Sequence, residues 1–95
     1  MSNKDMDELE ILLEKELNEQ ETNSIHLKND DYNSFKHVVD CLTKYCHHSI
    51  VQAEQCALLV HLKGDAQIKS GTMESLIPIK DALIDHGLDV FIEQY

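Results

Sequence analysis

The stretch from Ser49 to Gly64 constrains the fold of this chain more than any other. Ser49 and Gln52 form an S-x-x-Q capping box, in which each side chain satisfies an unpaired backbone N–H group of a helix's first turn. Gly64 is suited to end that helix because glycine readily takes a positive φ. The residues between these signals share one wide apolar face: Ile50, Ala53, Cys56, Ala57 and Val60, broadened by Leu58, Leu59 and Leu62. We therefore expect a helix with a wide buried face here.

Apolar spacing elsewhere predicts two more helices and three short strands. Spacing of i, i+3, i+4, i+7 begins after Ser34, and a third helix follows a capping Thr72. Pro78 lies inside this third helix and lacks an N–H group, so it predicts either a restart or a kink. The apolar stripe of the helix after Ser34 contains Phe35, Val38, Val39, Leu42, Tyr45 and Cys46. The stripe of the third helix contains Leu76, Ile79 and Leu83. Strands are expected at residues 24–28, 66–70 and 88–93.

The resulting order of elements, β-α-α-β-α-β, predicts a small α+β sandwich. In this architecture three helices cover a three-stranded antiparallel sheet. Residues 1–22 differ in composition, with eight acidic residues against Lys4 and Lys15 and a partial helical stripe of apolar residues. We expect two parts, an acidic N-terminal extension at 1–22 and a folded domain at 23–95.

Charge and composition exclude several classes of function. The chain has 18 acidic and 8 basic residues, a formal net charge of -10, which disfavours binding to nucleic acid or to an anionic membrane. A protein partner with a basic patch fits this charge. No apolar run approaches the roughly 20 residues of a membrane-spanning helix. The three cysteines match no disulfide framework, and the N-terminus lacks a basic signal region, so we expect a reduced, cytoplasmic protein.

Two polar features stand beside the apolar helices. Asn29, Asp30, Asp31 and Tyr32 follow the first strand directly, and His61 lies near the end of an apolar helix. Turn chemistry alone could explain the first feature, and a hydrogen-bonded core histidine could explain the second. The residues by themselves leave both interpretations open.

Taken in order, these segments resemble the Clp protease adaptor family ClpS. The resemblance rests on Lys28-Asn29-Asp30-Asp31-Tyr32-Asn33, on Phe35-Lys36-His37-Val38-Val39-Asp40, and on the stretch Gln52–Gly64, and it covers roughly residues 24 to 93. It implies a ClpS-like fold and recognition of N-degrons, which are destabilising N-terminal residues such as Leu, Phe, Tyr or Trp. It also implies delivery of these substrates to a Clp-type AAA+ unfoldase.

The resemblance assigns a role to several residues. Asn29, Asp30 and His61 match the positions that bind the substrate's α-amine, and Asp31 is expected to support the turn. These three side chains offer an amide carbonyl, a carboxylate and a ring nitrogen, the convergent acceptors that an ammonium group needs. The expected walls of an adjoining side-chain pocket are Phe35, Val38, Ala57, Val60 and Leu88.

Four positions depart from the family pattern or match it only in part. Members commonly carry Met where Phe35 and Ala57 stand, and Pro where Ser34 stands, so we expect an altered preference between aliphatic and aromatic residues. Glu74 matches an acidic position for docking on the unfoldase, either ClpA or ClpC, although the lysine that accompanies it in the family has no secure counterpart. Residues 1–22 would correspond to the family's N-terminal extension, which takes part in delivery.

Two alternatives remain beside the adaptor. The fold and docking could be retained while Phe35 and Ala57 abolish N-degron binding. A regulatory metal site could instead be built from Cys41, Cys46, His47, His48 and Cys56, although their spacing matches no zinc pattern. The sequence has no Ser-His-Asp arrangement, phosphate loop or H-E-x-x-H motif, so we expect neither catalysis nor a cofactor. We also expect the protein to be a monomer.

Overall fold

The order of elements in the folded domain is the one that the sequence predicts. The computed structural model describes residue 9 and residues 23–94, and the expected extension therefore lies almost entirely outside the described residues. The elements are β1 (Asn23–Lys28), α1 (Phe35–Tyr45), α2 (Ile50–Lys63), β2 (Asp65–Gly71), α3 (Met73–Asp85) and β3 (Asp89–Gln94).

Each helix begins at a hydroxyl side chain. The side-chain oxygens of Ser34, Ser49 and Thr72 accept hydrogen bonds of 3.1 Å from the backbone N–H three residues later in α1, α2 and α3. A cap of this kind stabilises a helix by about 1 kcal/mol because it pairs an otherwise unsatisfied donor. The capping roles predicted for Ser49 and Thr72 are confirmed. The helix α3 passes through Pro78 without restarting there.

The central strand β1 organises the domain. It pairs antiparallel with β2 on one side and with β3 on the other, giving the sheet order β2-β1-β3. Ile25 and Leu27, both at most 1% exposed, lie in the core together with residues of all three helices, Leu42, Ala53, Leu76 and Leu83 among them. The three-stranded antiparallel sheet with three helices confirms the predicted α+β fold.

The buried face of α2 is narrower than the sequence suggests. Leu58, Leu59 and Leu62, which we expected to broaden this face, are 50%, 41% and 69% exposed. A helix turns by about 100° per residue, so Leu62 points roughly opposite to the fully buried Ala53. The face that packs into the domain consists instead of the small residues Ala53, Ala57 and Val60.

No helix in the described part of the chain is long and apolar enough to cross a membrane.

Candidate functional site

One backbone hydrogen bond joins the first polar feature, Asn29–Tyr32, to the end of the helix that carries His61. The N–H of Asn29, just after β1, donates to the carbonyl of Gly64, which ends α2, over 2.8 Å. Gly64 adopts φ of 92° in the left-handed region, as predicted, while its own N–H donates to the Val60 carbonyl. His61 lies three residues before Gly64 on α2, so this contact brings Asn29 and His61 to the same end of the domain.

A cavity of about 300 Å³ opens where these elements meet. Its polar lining comprises Lys28, Asn29, Asp30, Asn33 and His61, and its apolar lining comprises Leu27, Phe35, Val38, Ala57 and Val60. This volume lies at the lower end of the range for small-ligand pockets. The structure thus brings together Asn29, Asp30 and His61 with four of the five expected wall residues.

The apolar wall has a buried part and an exposed part. Ala57 and Val60 are 5% and 4% exposed and present a small and a branched side chain from α2. Phe35, at the first position of α1, is 49% exposed. The cavity therefore remains open although a large aromatic residue is part of its lining.

Leu88 differs from the expectation of a wall position. It is 3% exposed and belongs to the hydrophobic core, and it is not among the residues that line the cavity. The backbone N–H of Leu88 bonds the Leu83 carbonyl, which holds the start of the last strand against the end of α3.

Asp30 is held by a compact set of hydrogen bonds. Its Oδ1 accepts from the backbone N–H groups of Tyr32 (2.9 Å) and Asn33 (2.8 Å). Its Oδ2 accepts from the side-chain Nδ2 of Asn33 over 2.7 Å. The same Nδ2 donates to the Gly87 carbonyl over 2.9 Å, between α3 and β3.

These donors keep Asp30 charged. Partial burial acts to raise the pKa of the Asp30 carboxyl, but hydrogen bonds from Asn33 and Tyr32 and the nearby His37 together lower it below its ordinary value. Hydrogen bonds to the ionised form stabilise that form. The cavity therefore has a fixed carboxylate in its lining.

Asp31 was expected to support the turn next to the cavity, but Asp30 has this role. Asp31 is exposed, and in the described part of the chain its carboxylate has no hydrogen-bond partner, whereas Asp30 accepts the bonds that hold the turn. Sequence reasoning missed Asn33. The available signal was its spacing of three residues from Asp30, which lets an Asx turn close on itself.

The side chains of Asn29 and His61 have no hydrogen-bond partner among residues 23–94, and both residues are exposed. An amide oxygen and a neutral imidazole nitrogen are both acceptors. Together with the Asp30 carboxylate, they form a polar region beside an apolar wall. This arrangement suits a ligand that combines a cationic donor with a hydrophobic group.

The Cys/His cluster forms no comparable site. No group of three or more His, Cys, Asp or Glu side chains that could hold a metal ion is found within the described residues. Cys41 and Cys46 are buried, and burial raises the pKa of the Cys46 thiol to about 11. These thiols therefore behave as small core side chains rather than as thiolates.

Comparison with known proteins identifies the family. Residues 18–90 match the family described as ATP-dependent Clp protease adaptor protein ClpS, which is more than half of the chain. The chain belongs to the ClpS family. This is a family of adaptors of the Clp protease.

Solved structures agree with the ClpS fold. The structure of Agrobacterium tumefaciens ClpS2 bound to L-phenylalaninamide superposes with a TM-score of 0.72 at 20% sequence identity. The alignment covers 80% of this chain and 99% of the ClpS2 chain. No curated protein matches the sequence significantly.

The Asp30 network predicts a stability that depends on pH. Asp30→Asn should lower the free energy of unfolding at about pH 7 by about 1 kcal/mol, because the new amide cannot accept from Asn33 Nδ2 at the position of Oδ2. A carboxyl with a lowered folded-state pKa stabilises the protein above its unfolded pKa, and this stability is lost as the pH falls through the folded pKa. The difference in the free energy of unfolding between Asp30→Asn and the unmodified protein should therefore shrink towards about pH 3. Urea unfolding between about pH 7 and about pH 3 would measure this difference.

Asp31→Asn provides the matched control, since it removes the same charge from an exposed side chain without hydrogen bonds to the described residues. An equal effect of both substitutions at every pH would contradict the assignment of the network to Asp30.

Proposed function

We propose that this ClpS-family chain binds proteins through a free N-terminus that carries a bulky hydrophobic residue, and delivers them to a Clp-type AAA+ unfoldase. It acts as a non-catalytic adaptor in the cytoplasm. The observation that carries this proposal is the single cavity that joins Asn29, Asp30 and His61 to an apolar wall.

The polar side of the cavity suits an α-ammonium group. Such a group has one positive charge and three N–H donors, and it needs several acceptors, at least one of them anionic. Asn29 and His61 have side-chain acceptors without partners in the described chain, and Asp30 supplies the negative charge. An acetylated N-terminus is neutral and keeps one N–H donor of the three, so it should be rejected.

The apolar side suits a large hydrophobic side chain. Val38, Ala57 and Val60 offer no polar side-chain atom, and their positions line a cavity of about 300 Å³. The ligand of the related ClpS2, L-phenylalaninamide, combines a free α-amine with an aromatic ring, and both halves have a counterpart here. This supports N-degron binding by the present chain.

The cavity also bears on the alternative in which Phe35 and Ala57 abolish recognition. Phe35 is half-exposed and leaves the cavity open, while Ala57 takes little of its volume. Both features favour retained binding over a blocked pocket. We propose that the pocket accepts aliphatic as well as aromatic N-terminal residues, with a balance set by these two positions.

Docking on the unfoldase is proposed for the exposed surface of α3. Glu74 lies in the first turn of this helix, next to Met73 and one turn from Ile77, both 41% exposed. Asp81 and Asp85 continue an exposed acidic row along the helix. An apolar strip beside acidic side chains fits a basic partner surface, such as the N-terminal domain of ClpA or ClpC, with the adaptor acting as a monomer and residues 1–22 assisting delivery.

Fluorescence anisotropy with a labelled peptide that begins in free Phe tests substrate binding. The unmodified protein should bind this peptide and should not bind the same peptide acetylated at its N-terminus. His61→Ala and Asn29→Ala should each weaken binding by roughly tenfold or more, because each removes an acceptor for a charged donor. Gln55→Ala, on the exposed side of α2, is the matched control and should leave affinity unchanged.

Equal affinity for the free and the acetylated peptide would contradict the amine site. Peptides that begin in Leu, Trp or Ile extend the same assay to the proposed breadth of the pocket. Failure of every free N-terminus to bind would leave the adaptor without this class of substrate.

Pull-down with the isolated N-terminal domains of ClpA and ClpC tests docking. Glu74→Lys should abolish binding to the domain that the unmodified protein captures, because it reverses a charge in the proposed contact, while peptide affinity stays the same. Asp40→Lys makes the same charge change on the exposed side of α1 and should have no effect. Loss of docking in both variants would assign the effect to net charge and not to α3.

A further inference from the structure

Asn33 takes part in three hydrogen bonds beside the cavity, as many as Asp30, although the sequence assigned it no role. Its backbone N–H donates to Asp30 Oδ1, and its Nδ2 donates both to Asp30 Oδ2 and to the Gly87 carbonyl. Asn33 also lines the cavity itself. It therefore connects the carboxylate of the site to the corner between α3 and β3.

The hydrogen bonds to Asp30 leave one acceptor site of its carboxylate available. A carboxylate offers about four lone-pair sites, two on each oxygen. Both sites on Oδ1 are occupied by backbone N–H groups, and one site on Oδ2 is occupied by Asn33 Nδ2. One acceptor direction remains, on Oδ2, for a further donor.

The bond from Asn33 Nδ2 to the Gly87 carbonyl fixes where the remaining lone pair of Asp30 Oδ2 points. The two hydrogens of the Asn33 amide have separate acceptors, at 2.7 Å on Asp30 and 2.9 Å on Gly87. Rotation of the amide would break both bonds at once. The carboxylate plane is thereby tied to the backbone of a distant part of the chain, 54 residues away.

We propose that Asn33 is a positioning residue for amine recognition, which holds the Asp30 carboxylate in one orientation and leaves one Oδ2 lone pair free for a ligand ammonium. The inference rests on the proposed function and adds to it the residue that orients its charged group. Asn33 acts through Asp30, and a ligand need not touch it.

Three substitutions separate the contributions of the Asn33 side chain. Asn33→Ala removes both side-chain bonds and should weaken binding of the free-Phe peptide by about fivefold to tenfold. Asn33→Ser retains one short donor that can bond Asp30 but cannot also bond Gly87. Its affinity for the peptide should therefore lie between those of the unmodified protein and Asn33→Ala. Asn33→Asp replaces the donor with a second carboxylate, which repels Asp30 and should abolish the pairing. Gln55→Ala serves again as the control for loss of an amide.

Carboxyl NMR titration of Asp30 in the unliganded protein supplies a readout that a purely structural role would not change. The pKa of Asp30 should rise in Asn33→Ala and Asn33→Asp and stay low in Asn33→Ser, because only the first two lack a donor to Oδ2. The other charged or titratable groups around the site are unchanged in all three variants: Lys28, Asp31, His37, His61, His86 and Asp89.

The outcomes distinguish this inference from the proposed function. If the unmodified protein binds no free-amine peptide, both are overturned. If it binds but Asn33→Ala retains full affinity and an unchanged Asp30 pKa, the adaptor function stands and the positioning role is overturned. Weaker binding with a raised Asp30 pKa, in a variant that stays fully folded under the conditions of the binding assay, supports the inference.

Discussion

The hydrogen bond from the Asn29 N–H to the Gly64 carbonyl is the contact on which the site depends. It fixes the end of the central strand against the end of α2, at 2.8 Å. The core packs β1 and α2 into the same domain, and this bond sets the position of Asn29 relative to the end of the helix that carries His61. The bond requires Gly64 in a left-handed conformation, which costs a residue with Cβ about 1 kcal/mol or more. The cavity forms where β1 and α2 end side by side.

A second set of hydrogen bonds holds the charged group of the cavity, the Asp30 carboxylate, in place. Asp30 and Asn33 close the turn that follows β1, and Asn33 extends this turn to Gly87 at the corner between α3 and β3. The site is therefore connected to a backbone carbonyl 54 residues away along the chain. Ala57 and Val60 are buried side chains of the packed helix α2, so their part of the apolar wall is already formed in the absence of a ligand. Such preorganisation reduces the entropy that a ligand loses on binding.

Much of this architecture could be predicted because local chemistry decides it. Capping at Ser49 and Thr72 and the left-handed Gly64 follow from residues whose preferences act within one turn of helix. The ClpS resemblance added Asn29, Asp30 and His61, which the structure places around one cavity. No pattern of spacing alone would have related Asn29 to His61, because their proximity is a tertiary contact.

The errors arose where tertiary packing decides the outcome. Leu58 and Leu62 are as apolar as any core residue, but a domain this small covers only one side of α2, so both remain exposed. Leu88 is apolar and close to the corner that Asn33 holds, yet it packs into the core. The local Asx turn could have indicated the bonds between Asn33 and Asp30, but the bond from Asn33 to Gly87, 54 residues away, is a tertiary contact that no local motif indicates.

The central claim is that a free α-amine binds between Asn29 and His61, and NMR titration with L-phenylalaninamide tests it most directly. The account predicts saturable shifts of the Asn29 side-chain amide, the His61 ring and the Ala57 methyl, with none for N-acetyl-L-phenylalaninamide. Shifts elsewhere on the domain, or equal shifts with both compounds, would contradict it.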